Sequence, residues 1–265
     1  MALWCCLPLA FGVISTAGVW TVYGLAVQYG HVCAFSEWPR FIEDCYNETD
    51  CCDLDKIPYI SATGATRPES ALFSIVTTIS SIVLALVALL LHGLTVQACG
   101  SSRLEHVSRA ALACTFLAAV GAFLVGSCPS AGEALRWAHL ISAAICMTAG
   151  TVAAGLQTLV SWKLQGGVAS WVQPWVAGMR AALCLFLLLT GGLYGFLYVR
   201  KEARLLRVAA VCEWAAFSVF CLVFSTFALE LYGATRATLS ALTCKRGDND
   251  GMQEHILFGQ MSPPN

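Results

Sequence analysis

Charge is what this sequence has least of. Only 12% of its 265 residues are Asp, Glu, Lys or Arg, where a soluble domain carries roughly a quarter. Apolar residues make up 58% and the mean hydropathy is +0.70, so the solvent that fits this chain is lipid. Apolar segments close to the bilayer-spanning length of about twenty residues use up nearly the whole chain, which leaves no room for a separate globular catalytic domain. A net charge of -1 with no clustered basic face excludes nucleic acid as a partner. The Lys245-Arg246 pair is too small for a polybasic lipid-binding patch. Catalytic signatures are missing as well: there is no His-Glu-x-x-His, no pair of intramembrane aspartates, and no Gly-x-Ser-x-Gly beside suitable partners. The expectation is a non-enzyme without cofactor or metal, whose activity resides in a helical bundle, its loops or its tail.

What is present is an all-α pattern of six membrane spans in one bundle, at about 3–28, 71–96, 110–126, 135–162, 181–199 and 208–231. The first carries no charged residue, and Trp20 and Tyr23 suit its far interface. A cleaved signal peptide is the competing reading of this segment; the lack of a basic n-region and the length of the apolar run argue against it. Arg103, Glu105, His106 and Arg109 read as a short loop before the third span, and Trp171, Pro174 and Trp175 as an interfacial loop before the fifth. Ala118, Ala122 and Gly126, then Ala149 with Ala153 and Gly150 with Ala154, form small-xxx-small ridges expected to act as packing seams within the chain. Residues 232–265 are polar and read as a disordered cytosolic tail.

Fourteen cysteines are unevenly placed. Nine lie in or beside apolar segments, where Cys behaves as a small hydrophobe. Cys33, Cys45, Cys51 and Cys52 share the polar loop 29–70 with the sequon Asn47-Glu48-Thr49, which reads as a disulfide-containing, glycosylated, extracellular or lumenal segment. Four cysteines allow three pairings, which stay open. This loop places both termini in the cytosol. The basic residues do not support that orientation: seven fall on the cytosolic side and eight outside, four of them between the fifth and sixth spans. Disulfides and sequons require a compartment, whereas charge only biases insertion, so cytosolic termini are expected.

Ionisable groups inside a span cost on the order of 2.5 to 3.5 kcal/mol on insertion scales, and the ones here are His139, Glu213 and Glu230. Glu213 lies roughly 8 Å into the sixth helix at 1.5 Å per residue. Its bland role is a carboxyl hydrogen-bonded to a neighbouring helix, with His139 a possible partner; an ion-coupled role and headgroup contact are the alternatives. Glu230, near the cytosolic end, is expected to reach water. Cys5, Cys6, Cys99 and Cys244 could be palmitoylated if they face the cytosol near the membrane, and an inert role is the alternative for each.

Two motifs then become familiar. Pro58, Tyr59, Ile60 and Ser61, with Gly64, lead to Pro68-Glu69-Ser70 before the second span, and Cys212-Glu213-Trp214 heads the sixth, with His139 in the fourth. This pattern resembles the family of damage-regulated autophagy modulators and transmembrane protein 150 members, over nearly the whole chain. His31-Val32-Cys33, Trp38, Cys45 and Cys51-Cys52-Asp53-Leu54-Asp55 look most like the transmembrane protein 150A branch. Ala62, Arg67 and Ser127-Cys128 depart from the family pattern. The resemblance implies a non-enzymatic plasma-membrane regulator of phosphoinositide synthesis that helps recruit a phosphatidylinositol 4-kinase complex. It leaves two alternatives, a modulator of autophagy on endosomal or lysosomal membranes and a mechanosensitive or ion-conducting protein. Pro58 and Pro68 would stiffen the loop, and Gly64 would permit a positive-φ turn.

Overall fold

The structure, a computed structural model, describes residues 4–35, 56–98, 102–128, 133–164, 174–200 and 203–232. Its helices are α1 (Cys6–Gln28), α2 (Ile60–Thr63), α3 (Glu69–Ala98), α4 (Ser102–Ser127), α5 (Glu133–Leu164), α6 (Pro174–Arg200), α7 (Ala203–Thr226) and α8 (Ala228–Leu231). Six helical segments are long and apolar enough to cross a membrane, with α7 and α8 together forming the sixth. The described residues contain no strand, so the all-helical, six-span expectation holds.

The helices are longer than the apolar stretches that announce them. At 1.5 Å per residue the 30 residues of α3 reach about 45 Å, well beyond a hydrocarbon core of roughly 30 Å, so polar ends continue as helix into the headgroup layer. This corrects two loop assignments. Arg103, Glu105, His106 and Arg109 lie on the first turns of α4, where Arg109 donates to Glu105 one turn away at 2.5 Å. The fifth span begins at Pro174, which needs no hydrogen-bond partner for a missing N–H at a helix start.

Each span packs against its neighbours in the chain, and the last closes against the first, so α1, α3, α4, α5, α6 and α7 form a ring in chain order. Its centre is apolar: Phe11, Leu84, Leu91, Ala118, Ala153, Leu187, Phe220, Phe224 and Phe227 are all buried in one cluster. Outward positions stay apolar too, as lipid requires; Val13 is 67% exposed and Val199 77%.

Small residues set the helix spacing. A Cβ on Gly126 would fall 1.8 Å from Thr77 Oγ1 of α3, and one on Gly150 would fall 2.3 Å from the Phe220 ring of α7. The closest backbone approach is at Gly121, where a Cβ would lie 2.8 Å from both the Cys146 nitrogen and the Ser142 oxygen of α5. These seams therefore lie within the chain, and backbone cannot yield as a side chain can. We expect Gly121→Leu to lower the stability of the detergent-purified protein by roughly 1–3 kcal/mol or more through overpacking, read as a fall in thermal midpoint. Gly192→Ala, at a position with nothing within 4 Å, should leave the midpoint unchanged or raise it slightly.

Candidate functional site

At the end of the bundle where α1 finishes and α7 starts, the returning first loop is fastened to the membrane helices. The Tyr59 amide turns back to the Ile57 carbonyl at 2.8 Å, making a tight turn at Pro58; Tyr59 itself is extended, at φ -63° and ψ 146°, and Ile60–Thr63 then makes a single helical turn. That turn has no cap of its own, and Tyr59 offers none. The cap comes from α7: Glu213 Oε2 accepts the Ile60 amide at 2.9 Å. A carboxylate at a helix start meets both the unpaired amides and the positive end of the backbone dipole. The neighbouring residue, Trp214, donates its indole N–H to the Pro58 carbonyl at 2.8 Å. Tyr59 donates its hydroxyl to the Leu206 carbonyl at 2.8 Å, near the first turn of α7. Burial, followed by the nearby Glu213 carboxylate, raises the Tyr59 phenol above its ordinary range, so it stays protonated and remains a donor.

Aromatic packing surrounds these polar contacts. The Trp214 ring lies 4.6 Å from Trp20, 5.7 Å from Tyr23 and 5.6 Å from Phe35, and the Phe35 amide donates to the Tyr23 hydroxyl at 2.8 Å. On the other side Tyr59 packs edge-on against Tyr198 of α6 at 5.8 Å. The two motifs that carry the family resemblance, 153 or more residues apart in sequence, are thus in direct contact.

Further along the loop, Gly64 differs from expectation. Its φ is -96°, which any residue can adopt; glycine is required because a Cβ would lie 2.5 Å from the Phe73 ring. The positive φ belongs to Gly30, at 70°, where α1 ends and the His31 amide turns back to the Ala26 carbonyl. Pro68 follows a cis bond and directly precedes α3, and Ser70 lies in its first turn. Glu69 opens that helix fully buried, with Oε1 2.8 Å from His31 Nδ1. Sequence reasoning had quoted His31 only for its resemblance to the family. Cys33 is disulfide-bonded, whereas Cys45, Cys51, Cys52 and Asn47 lie outside the described residues.

His139 and Glu213 do not pair. His139 is buried on α5 and donates from Nδ1 to the carbonyls of Val125 and Cys128, at 3.1 and 2.9 Å. The Val125 oxygen would ordinarily accept from residue 129, but residue 129 is proline and has no N–H. The imidazole supplies the missing donor at the end of α4.

A second polar cluster lies at the opposite end of the bundle and corrects a further assignment. Glu230 does not reach water, because Arg180 of α6 pairs with it. Arg180 is 0% exposed and pairs through Nη1 and Nη2 with both Glu230 oxygens, the Nη2–Oε2 distance being 2.6 Å. Its Nε donates to Thr226 Oγ1 at 2.7 Å, and Nη2 to the Thr226 carbonyl at 2.7 Å, close to the break between α7 and α8 at Phe227. Ser161 of α5 donates to Glu230 at 2.8 Å, and the guanidinium lies 4.3 Å from the centre of the Phe227 ring. The bidentate pair ties α5, α6 and α7 together. Its signal in the sequence was the presence of one cation and one anion at matching depth on adjacent spans.

Two measurements test this geometry. Hydrogen exchange at the Ile60 amide should accelerate in Glu213→Ala, which removes its acceptor at a cost of roughly 1–3 kcal/mol, and less in Glu213→Gln, which keeps one acceptor oxygen. Unchanged protection in Glu213→Ala would disprove the cap. At the other end, Arg180→Met or Glu230→Leu alone should destabilise by roughly 3–5 kcal/mol, because each leaves a buried charge unpaired, whereas the double variant should recover most of the loss. Additive losses in thermal unfolding would contradict the pairing.

The profile of the Frag1/DRAM/Sfk1/Cwh43P N-terminal domain matches residues 3–234. The chain is 29% identical to human Transmembrane protein 150A, over 97% of this chain and 96% of that one. Its identity to the Mus musculus Transmembrane protein 150A is 27% over the same shares. To the Bos taurus protein named Modulator of macroautophagy TMEM150B it is 26% identical, over 88% of this chain and 87% of that one. No solved structure matches. By the span of that profile match, this chain belongs to the Frag1/DRAM/Sfk1/Cwh43P family.

Proposed function

We propose that this multi-pass membrane protein is a non-catalytic regulator at the plasma membrane, promoting phosphoinositide synthesis by helping to recruit a phosphatidylinositol 4-kinase complex. The observation that supports a regulator over a catalyst is the engagement of its intramembrane ionisable groups. Glu213 caps α2, Glu230 is neutralised by Arg180, and His139 completes the end of α4. Each is held in a structural contact that a reaction would have to break. The same observation weakens the ion-conducting reading, which needs the Glu213 carboxylate on a water-filled path rather than on backbone amides. What then remains for partners is the loop end, the opposite face of the bundle and the tail. The phosphoinositide part of the reading is what the resemblance of the first loop implies, and the chain is similar to human Transmembrane protein 150A along almost the full length of both chains.

A second reading is regulation of autophagy on endosomal or lysosomal membranes. It is favoured by the name of the Bos taurus relative, a modulator of macroautophagy.

One cellular experiment separates them. With an epitope inserted beside Asn47, surface labelling and glycosidase treatment report residence and orientation, and kinase recruitment is followed alongside. Under the first reading the epitope is at the cell surface on a glycosidase-sensitive protein. Truncation after Tyr232 should then lower kinase recruitment while surface signal persists. Unchanged recruitment would remove the tail from the mechanism, and a glycosylated protein confined to lysosomal vesicles would favour the autophagy reading.

A further inference from the structure

Deep in the bundle, where α3, α4, α5 and α7 meet, there is a cavity of about 10 Å³, roughly the space of one water-sized sphere. Small and apolar side chains make most of its wall, among them Ala88, Ala111, Ala153 and Phe227. Two residues on that wall are polar. Thr115 already donates its hydroxyl to the Ala111 carbonyl at 2.8 Å, which leaves its oxygen lone pairs as acceptors. Gln157 is 8% exposed, and its side-chain amide hydrogen-bonds to no other described residue. A primary amide has two donors and an acceptor oxygen, and in hydrocarbon neither lipid nor bulk solvent satisfies them.

An apolar cavity of this kind would stay dry, but an unsatisfied amide on its wall changes the balance, because burying such a group without a partner is costly. We infer that this cavity is a binding site for a single ordered water molecule, held by the Gln157 amide and the Thr115 hydroxyl. The amide N–H donates to the water oxygen, and the water's two hydrogens go to Gln157 Oε1 and Thr115 Oγ1. Size decides the ligand: the space takes one water and excludes a hydrated ion or an acyl chain. The site continues the polar cluster at the same end of the bundle. The Ser161 hydroxyl, one turn on from Gln157, has both the Gln157 main-chain carbonyl at 3.0 Å and Glu230 Oε1 at 2.8 Å as acceptors for its one proton, and Phe227 both lines the cavity and carries the Arg180 guanidinium. The water site thus adjoins the Arg180 ion pair.

Hydroxyl-radical footprinting of the full-length protein in lipid nanodiscs tests this, since X-ray pulses generate radicals from bound as well as bulk water. Phe224, Phe227 and Leu91 line the cavity; Phe11, Phe220 and Leu187 are comparably buried but do not. The first set should be oxidised several-fold faster than the second. Gln157→Met, of similar volume but without the amide, should abolish that difference; if it fails to fold, Thr115→Val is expected to reduce it. Equal rates for the two sets in the unmodified protein would overturn the inference, as would an undiminished difference in a folded Gln157→Met.

Discussion

A bilayer offers no hydrogen-bond partner to anything inside it, so the polar groups this protein carries into lipid must be satisfied by the protein or by water it holds. The rest of the architecture follows from how that is done. Main-chain groups are paired within helices. Most buried hydroxyls donate back one turn, as Thr95 does to Leu91 and Thr158 to Ala154. Ser15 instead donates across to Ser80, linking α1 to α3. The ionisable side chains lie at places where backbone is locally open. Glu213 meets the start of α2, His139 meets the end of α4 where a proline withholds a donor, and Arg180 meets the carbonyl near the α7–α8 break. Interruptions of regular structure and buried polar side chains thus satisfy each other.

This pairing gives the two ends of the bundle different characters. At the loop end, α7 holds the returning first loop rather than another span. The Glu213 cap and the Trp214 bond to Pro58 fix both the direction and the register of residues 57–63, while the Trp20, Tyr23, Phe35 and Trp214 cluster excludes competing water. The loop therefore reports the position of α7 directly. At the opposite end the Arg180–Glu230 pair locks three spans together. A buried ion pair contributes little net stability compared with well-packed apolar residues, but breaking it is costly, so its clearest effect is to specify which faces of α5, α6 and α7 meet.

Much of this was legible beforehand. The spans, the small-residue seams and the two family motifs were all visible as residue types at spacings that physical chemistry restricts. The positions read wrongly have a common cause. Glu230 reads as a solvated residue because it lies near the end of a span, and nothing in one dimension says that a ring of helices brings Arg180 to it. Gly64 was assigned a backbone role because that is a frequent reason for glycine in a turn, when the constraint was the Phe73 ring nine residues on. Gln157 and Gly121 were overlooked because a polar residue or a glycine in an apolar run carries no mark of what faces it.

The sequence by itself determined the solvent, the number of spans and the family, because hydropathy and helix length are sums over neighbouring residues and need no knowledge of the fold. Only the tertiary structure decided which polar groups are partners. Partnership depends on which helices are adjacent and how they are rotated, and in a six-span ring those relations join residues more than a hundred positions apart, as Ile60 joins Glu213.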